Sequence, residues 1–371
     1  MLYEELKRGL FTKYMLLSIV GIFILTFSLN SMIIEKNKNL PKVLKEEATY
    51  CGEMTEDKLY LGLKKVRDEK SKDVKYTPLI TFIDGLVCDH VGVLYYENRI
   101  EDYPDKYAKN FYKCWREKFI VLINKIPKEN RTKAIKELDK VKTPFVKYQG
   151  SYFWNLAIGN LKLIYIIIMF MTTFFAASIY SDSIEDGSME IIQATRLGKK
   201  TMIMRLITVI IYGLLITLVA TLSTILVIGS VTGLKPLKSS LKVFSLFSLT
   251  NFTLWHGIFL MFVSEFLGIL AITTIMSLIS YKVGKTDLSI AIGIGINVFY
   301  IIALFIKMPW KFSQIILNMF PMAASQVINE VTGFNFDMGI WRPYAVMASM
   351  VFVFSVFGAL LTYMIYGKKY N

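Results

Sequence analysis

Residues 163–200 read LIYIIIMFMTTFFAASIYSDSIEDGSMEIIQATRLGKK, and the change of character inside this stretch decides the fold. Residues 163–180 carry no charge and approach the roughly 20 residues that a helix needs to cross a bilayer. They stop at Asp182, Glu185, Asp186 and Gly187, pass through Glu190, Ile191 and Ile192, and leave through Arg196, Lys199 and Lys200 into a second apolar run. Two membrane spans joined by a polar elbow fit this order; a soluble core helix does not.

Working outward, five further blocks reach or approach spanning length, at 14–34, 202–231, 254–281, 288–306 and 344–366. The chain has 371 residues, of which 54% are hydrophobic and 19% charged, and the apolar ones are gathered into blocks too long for soluble cores. The expected fold is an all-α polytopic membrane protein with six transmembrane helices. Lys7, Arg8 and Lys13 flank the first block as they would a signal peptide, but the block is too long for an h-region and lacks a small-x-small cleavage site, so it reads as an uncleaved span.

This divides the chain into 1–34, an N-terminal tail and first span; 35–155, a mainly α extracytoplasmic domain; and 156–371, a five-helix region. The last contains a cytoplasmic coupling helix at about 182–201 and an outer re-entrant segment at about 309–323, an apolar piece bracketed by Pro309 and Pro321 and too short to cross. Orientation follows the basic residues of short loops. With the amino terminus inside, 11 basic residues flank the inner ends (Lys7, Arg8, Lys13, Arg196, Lys199, Lys200, Arg205, Lys282, Lys285, Lys368, Lys369) against 6 on the outer ones (Lys235, Lys238, Lys242, Lys307, Lys311, Arg342). The expected location is the cell membrane, with both termini cytoplasmic and 35–155 outside.

The net charge of +14 splits into +6 over 35–155 and +8 elsewhere, mostly as membrane flanks. That distribution reads as anchoring against membrane lipids and a solvated outer face rather than a nucleic-acid surface. In the domain, apolar spacing suits helices at 58–67, 107–126 and 131–141, while 77–96 fits helix or strand. All three cysteines, Cys51, Cys88 and Cys114, fall here; one disulfide with a spare thiol and three free thiols both remain open. Cys88, Asp89 and His90 match no metal-ligand spacing. Phe145, Tyr148, Tyr152, Phe153 and Trp154 lead back to the membrane at headgroup level, with Lys162 snorkelling outward.

Glu265 is the charge inside a span; burying it costs at least about 2.5 kcal/mol, so it faces protein or water, as a pathway residue or as part of a helix-contact network with Ser264 and Thr273. His256 reads as interfacial and Asp287 as a cap of the fifth span. Enzyme motifs are missing: Gly284, Lys285 and Thr286 imitate the end of a phosphate loop, but Ile279 stands where the first glycine belongs, and neither a zincin nor a nucleophile-elbow motif occurs. No catalytic residue, bound cofactor or metal ligand is expected in this chain.

The pattern Ser181-x-x-x-Glu185-x-Gly187-x-x-Glu190, an apolar pair, then Thr195-Arg196-x-Gly198-Lys199-Lys200 resembles the turn after the second span in six-helix permeases of the ATP-binding-cassette exporters, the ABC-2 membrane type. The stretch 143–154 is similar to the way such permeases with an outer domain return to the bilayer; members typically carry arginine where Lys199 stands. The resemblance implies that Asp182, Glu185, Asp186, Gly187, Glu190, Ile191, Ile192, Arg196, Lys199 and Lys200 couple to a cytoplasmic ATPase that binds ATP and Mg. It further implies that a second permease copy or a related permease completes the pathway. The expected function is the permease subunit of an ATP-driven exporter of an amphipathic or hydrophobic substrate, such as an antimicrobial peptide, a drug or a lipid-like compound. The alternative is a membrane sensor or resistance component whose outer domain binds a ligand and signals to a cytoplasmic partner.

Overall fold

A computed structural model describes residues 12–35, 40–69, 82–83, 86, 103–126, 128–195, 197–243, 245–246, 248–306, 313–332 and 342–367. Lys7, Arg8, Cys88, Asp89, His90, Arg196, Lys307, Pro309, Trp310, Lys311, Lys368 and Lys369, with most of 77–96, lie outside these residues. In chain order the helices are α1 (Lys13–Glu35), α2 (Leu40–Thr49), α3 (Glu56–Glu69), α4 (Lys106–Lys109), α5 (Phe111–Ile123), α6 (Lys128–Asp139), α7 (Tyr152–Glu185), α8 (Ser188–Ala194) and α9 (Gly198–Thr232). They continue with α10 (Leu254–Val283), α11 (Thr286–Phe305), α12 (Ser313–Asn318), α13 (Val327–Thr332) and α14 (Arg342–Gly367). Strands β1 (Gly52–Met54) and β2 (Phe145–Tyr148) form a two-stranded antiparallel ribbon pairing Gly52 with Tyr148 and Met54 with Phe145.

Among the described residues six helices, α1, α7, α9, α10, α11 and α14, are long and apolar enough to cross a membrane. The chain is an all-α polytopic membrane protein. Helices α7 and α9, with 34 and 35 residues, are each about 50 Å long, well beyond the roughly 30 Å hydrocarbon core. Their polar ends therefore extend out of the apolar layer as continuous helix. Helix α10 is the centre of the bundle, buried along most of its length, whereas α1, α11 and α14 turn most of their apolar surface outward. Because lipid offers no hydrophobic drive between spans, small residues let the backbones close up. A Cβ on Gly213 of α9 would lie 2.5 Å from Ile269 Cγ2 of α10, and one on Gly293 of α11 would lie 2.5 Å from Thr173 Cγ2 of α7. Polar pairs fix the register: Tyr165 and Thr221 hydroxyls lie 2.6 Å apart, Asn297 Nδ2 donates to Thr173 Oγ1 at 2.8 Å, and Ser18 and Tyr212 hydroxyls are 2.6 Å apart.

At one end of the bundle, the domain end, α2–α6 and the ribbon build a small core from Leu59, Leu63, Phe111, Trp115, Phe119 and Phe145. Edge-to-face rings, Trp115 on Phe145 at 5.2 Å among them, hold it together. This domain sits on the α9–α10 connection: Trp115 Nε1 donates to Leu246 O at 3.0 Å, Asn155 Nδ2 to Val243 O at 3.1 Å, and Ser239 Oγ to Gly150 O at 2.8 Å while accepting from Gln149 N at 2.8 Å.

Lys242 is buried in this joint, its ammonium donating to Thr250 O at 2.5 Å and Asn251 Oδ1 at 3.3 Å and lying 5.7 Å from the Phe145 ring centre. Burial pushes its pKa down from 10.5 to about 8. The unfolded chain therefore binds a proton that the folded one has lost between those two values, so stability rises with pH through that window and is flat below it. We expect a gain of about 3 kcal/mol across the window, read as a rise in the unfolding temperature of the detergent-solubilised protein. Lys242→Met removes the slope. Parallel pH profiles for the two proteins would refute the assignment.

Candidate functional site: the elbow and the buried hairpin

The elbow is built at the other end of the bundle by two breaks in what would otherwise be continuous helix. Helix α7 runs on to Glu185, so the polar turn that follows the apolar run is still helical. Asp186 caps it and Gly187 takes φ 74°, a left-handed conformation that costs a side chain about 1–2 kcal/mol. Asp186 Oδ1 accepts Ser188 N at 2.8 Å, and the Ser188 hydrogen bonds hold this carboxyl below the usual carboxylate range. Helix α8 then lasts 7 residues before the chain turns at Thr195 into α9. The turn is tight at its second glycine: a Cβ on Gly198 would lie 1.9 Å from Ile192 O. The coupling segment expected at about 182–201, with a polar helix end, a turn at Gly187 and a short helix, is in the structure the end of α7, the short α8 and the first turn of α9.

The elbow is fastened to the spans beneath it. Ser280 Oγ of α10 accepts Tyr180 N at 3.1 Å and Ser181 N at 2.8 Å. Ser181 and Thr286 hydroxyls lie 2.8 Å apart, and Thr286 Oγ1 donates to Asp182 Oδ1 at 2.6 Å, tying α7 to the start of α11. Arg205 Nη1 of α9 donates to Ser183 Oγ at 2.7 Å, and the Tyr180 hydroxyl to Met202 O at 2.9 Å. Lys199 Nζ donates to Tyr366 O of α14 at 3.3 Å and lies 5.6 Å from that ring centre. Met189 of α8 is buried, whereas Ile191 is 71% and Leu197 53% exposed. Glu185, Asp186, Gly187, Glu190 and Lys200 are exposed with them, and Ile192 is half buried. The result is a short, anchored helix presenting apolar and acidic side chains away from the bundle, a form suited to a groove on another protein.

Sequence reading marked the exposed residues of the elbow and missed its fastenings Tyr180, Ser280 and Thr286. Their signal was present as serine and threonine at the polar ends of apolar runs, but which ends meet depends on the bundle. Asp287 does not cap α11: the cap position is Lys285, and Asp287 lies in the first turn, where its charge complements the helix dipole. Lys162 turns its ammonium to Asn329 Oδ1 of α13 at 3.4 Å, and Thr253 Oγ1 lies 2.7 Å from His256 Nδ1 at the start of α10.

The second candidate, Glu265, is fully buried on α10, one turn from that helix's centre. Against it lies a hairpin made of α12, a 3-10 turn over Pro321–Gln326, and α13. The hairpin runs from Ser313 to Thr332, and its turn packs at the middle of α10. Backbone at such depth needs partners within protein, and Ser264 Oγ supplies one to Ala324 O at 3.0 Å. Ser325 Oγ donates to Glu265 Oε2 at 2.7 Å, while Glu265 Oε1 and Thr273 Oγ1 are buried without a partner among the described residues. The elbow and Glu265 are separate features, joined by α10.

Cys51 and Cys114 are free thiols whose pKa values burial pushes up. No group of three or more His, Cys, Asp or Glu able to hold a metal ion occurs among the described residues. Comparison of the chain with family models, curated proteins and solved structures returns no match.

Proposed function

We propose that this chain is the membrane-spanning permease subunit of an ATP-driven exporter, with the elbow α7–α8–α9 receiving force from a separate cytoplasmic ATPase. The observation that carries the reading is the combination of exposed Ile191, Leu197, Glu185, Asp186 and Glu190 with buried fastenings to α9, α10 and α11. A docking helix held only by its own loop dissipates a push; one set on a span whose end is hydrogen-bonded to three other spans passes it on. In this reading the elbow and both termini face the cytoplasm, residues 35–155 lie outside, ATP and Mg bind the partner, and a second permease copy encloses the pathway. The substrate class is amphipathic or hydrophobic, moved by rearrangement of the spans.

Purification of the full chain in mild detergent tests this directly. A Walker-motif ATPase is expected to co-purify, and the double change Glu185→Lys, Asp186→Lys to reduce its recovery about a hundredfold, the loss of roughly 3 kcal/mol from reversing two contact charges. An undiminished complex, or nucleotide hydrolysis by this chain alone, would sink the proposal. Orientation is read separately: with Cys51, Cys88 and Cys114 changed to Ser, Glu185→Cys reacts with an impermeant maleimide in opened cells and stays unlabelled in intact ones.

A second reading has one observation in its favour, the hydrogen-bonding of the domain and the segment that follows it to the α9–α10 connection through Trp115, Gln149 and Gly150. Such a joint passes a change of domain conformation into the spans, as a ligand sensor requires. Ligand-dependent protection at the joint without nucleotide-dependent transport favours the sensor over the exporter.

A further inference from the structure

The re-entrant hairpin brings a broken helix to mid-depth, and the break faces Glu265, the one acid buried within a spanning helix among the described residues. The carboxylate has one neutral donor, Ser325, and its second oxygen is unpartnered. An ionised group in that position must be paired or neutralised. Among the described residues no cation of the protein pairs with it. On α7 the facing titratable group is the Tyr165 phenol, shared with Thr221 of α9. The hairpin contributes Ala324 and Ser325, and α14 contributes Met350 and Val353 to the same cluster. Gly213 of α9 packs on Ile269 and Gly293 of α11 on Met276, both toward the elbow end. Lys162 on α7 and Glu330 on α13, charged residues of the packed elements, lie toward the domain end, where Lys162 is engaged with Asn329. Breaks in membrane helices elsewhere place backbone carbonyls and helix ends around coupling ions, and this one adds a carboxylate with a free oxygen.

We propose that the hairpin break is a site for a single positive charge, a proton or a monovalent alkali-metal ion, with Glu265 as its anionic ligand and Ser325 beside it. Occupancy neutralises the carboxylate and keeps the hairpin seated on α10; loss of the ion leaves a bare charge that draws water and loosens residues 313–332. The site acts at the centre of the bundle, so it adds an ion-dependent step to whatever the spans move, and it stands whether or not an ATPase docks at the elbow.

The test is hydrogen–deuterium exchange of residues 313–332 in the full chain in lipid nanodiscs, corrected for intrinsic rates. One arm varies pH in choline chloride; the other varies Na+ or K+ at fixed pH. Exchange in this segment is expected to slow about tenfold on occupancy. A response to pH alone identifies the proton; a response to Na+ or K+ identifies the metal ion. Glu265→Gln, neutral and of the same shape, holds the segment protected throughout and abolishes both responses. Ser325→Ala removes a donor to the anion and moves the midpoint of the pH response upward by about one unit, or the metal response by about tenfold; it serves if the glutamine variant fails to fold. Infrared spectra of the wild type give an independent reading, a protonated carboxylic C=O band that grows as pH falls if the ion is a proton. Flat exchange in both arms, or responses that survive in Glu265→Gln, would overturn the proposal.

Discussion

Gly268→Leu is expected to expel the hairpin at 313–332 from the bundle and lower stability by about 4–6 kcal/mol. A Cβ at this position would lie 2.6 Å from Ala324 Cβ, 2.9 Å from Met169 Cε and 3.0 Å from Pro321 O. The methionine tip can swing away, but an alanine methyl and a backbone carbonyl move only with the hairpin. Overpacking alone costs about 1–3 kcal/mol. The displacement also breaks the bonds from Ser264 to Ala324 O and from Ser325 to Glu265, stranding a buried carbonyl and a buried carboxyl at about 1–3 kcal/mol each. Gly268→Ala is intermediate. The control is Gly295→Leu on α11, where nothing lies within 4 Å and the side chain points away from the bundle; it is expected to change stability by less than about 0.5 kcal/mol. Thermal unfolding in detergent, with exchange of residues 313–332, separates the two. Equal unfolding temperatures for Gly268→Leu and Gly295→Leu would remove the hairpin from its assigned seat.

The six spans were legible because a hydrocarbon-length apolar run has few other uses, and the rule needs no knowledge of neighbours. Their ends were less so. The apolar run beginning at Leu163 underestimates α7, which starts at Tyr152: the first turns carry Asn155, Asn160 and Lys162, which look like loop to a hydropathy reading. In the structure Asn155 and Asn160 are helical and bonded to Val243 O and Leu29 O. Helix continues past the apolar layer at both ends for the same reason that soluble helices exist, and only the backbone ladder marks where it stops. At the elbow, Gly187 was readable as a turn, but Gly198 was not: its necessity comes from the approach of Ile192 O, which the sequence does not display. Glu265 was conspicuous as a charge in a span, yet its partner Ser325 lies 60 residues on, across a hairpin whose depth depends on how α10 and α14 close. Local chemistry announced that these residues were unusual; contact between distant segments decided what each one does.

Glu47→Ala tests such a distant contact and is expected to cost about 3–5 kcal/mol, detaching the domain from α7. Glu47 lies on α2 and looked like one more acid in a solvated segment, but it is buried and its carboxylate sits over the start of α7. Oε1 accepts Ser151 N at 2.8 Å, Tyr152 N at 2.9 Å and the Tyr148 hydroxyl at 3.3 Å. The first amides of a helix have no partner within it and carry the positive end of its dipole, so a carboxylate there makes charge-assisted bonds stronger than ordinary ones. Gly150, at φ 87°, clears the approach: a Cβ there would lie 2.9 Å from Glu47 Oε2. Alanine at 47 leaves the amides of Ser151 and Tyr152 without this acceptor and takes one partner from the Tyr148 phenol, whereas Glu47→Gln keeps one carbonyl oxygen and forfeits the charge, a loss of about 1–2 kcal/mol. Asp139→Ala supplies the comparison, since Asp139 pairs with Arg116 on the surface, where both side chains are half exposed and the pair contributes about 0–1 kcal/mol. Proteolysis between 145 and 152, with thermal unfolding of the purified protein, reads the difference: fast cleavage in Glu47→Ala, slower in Glu47→Gln, and wild-type rates in Asp139→Ala. If Glu47→Ala resists cleavage as well as Asp139→Ala does, the joint between domain and bundle rests on other contacts, and Trp115 on Leu246 becomes the next to remove.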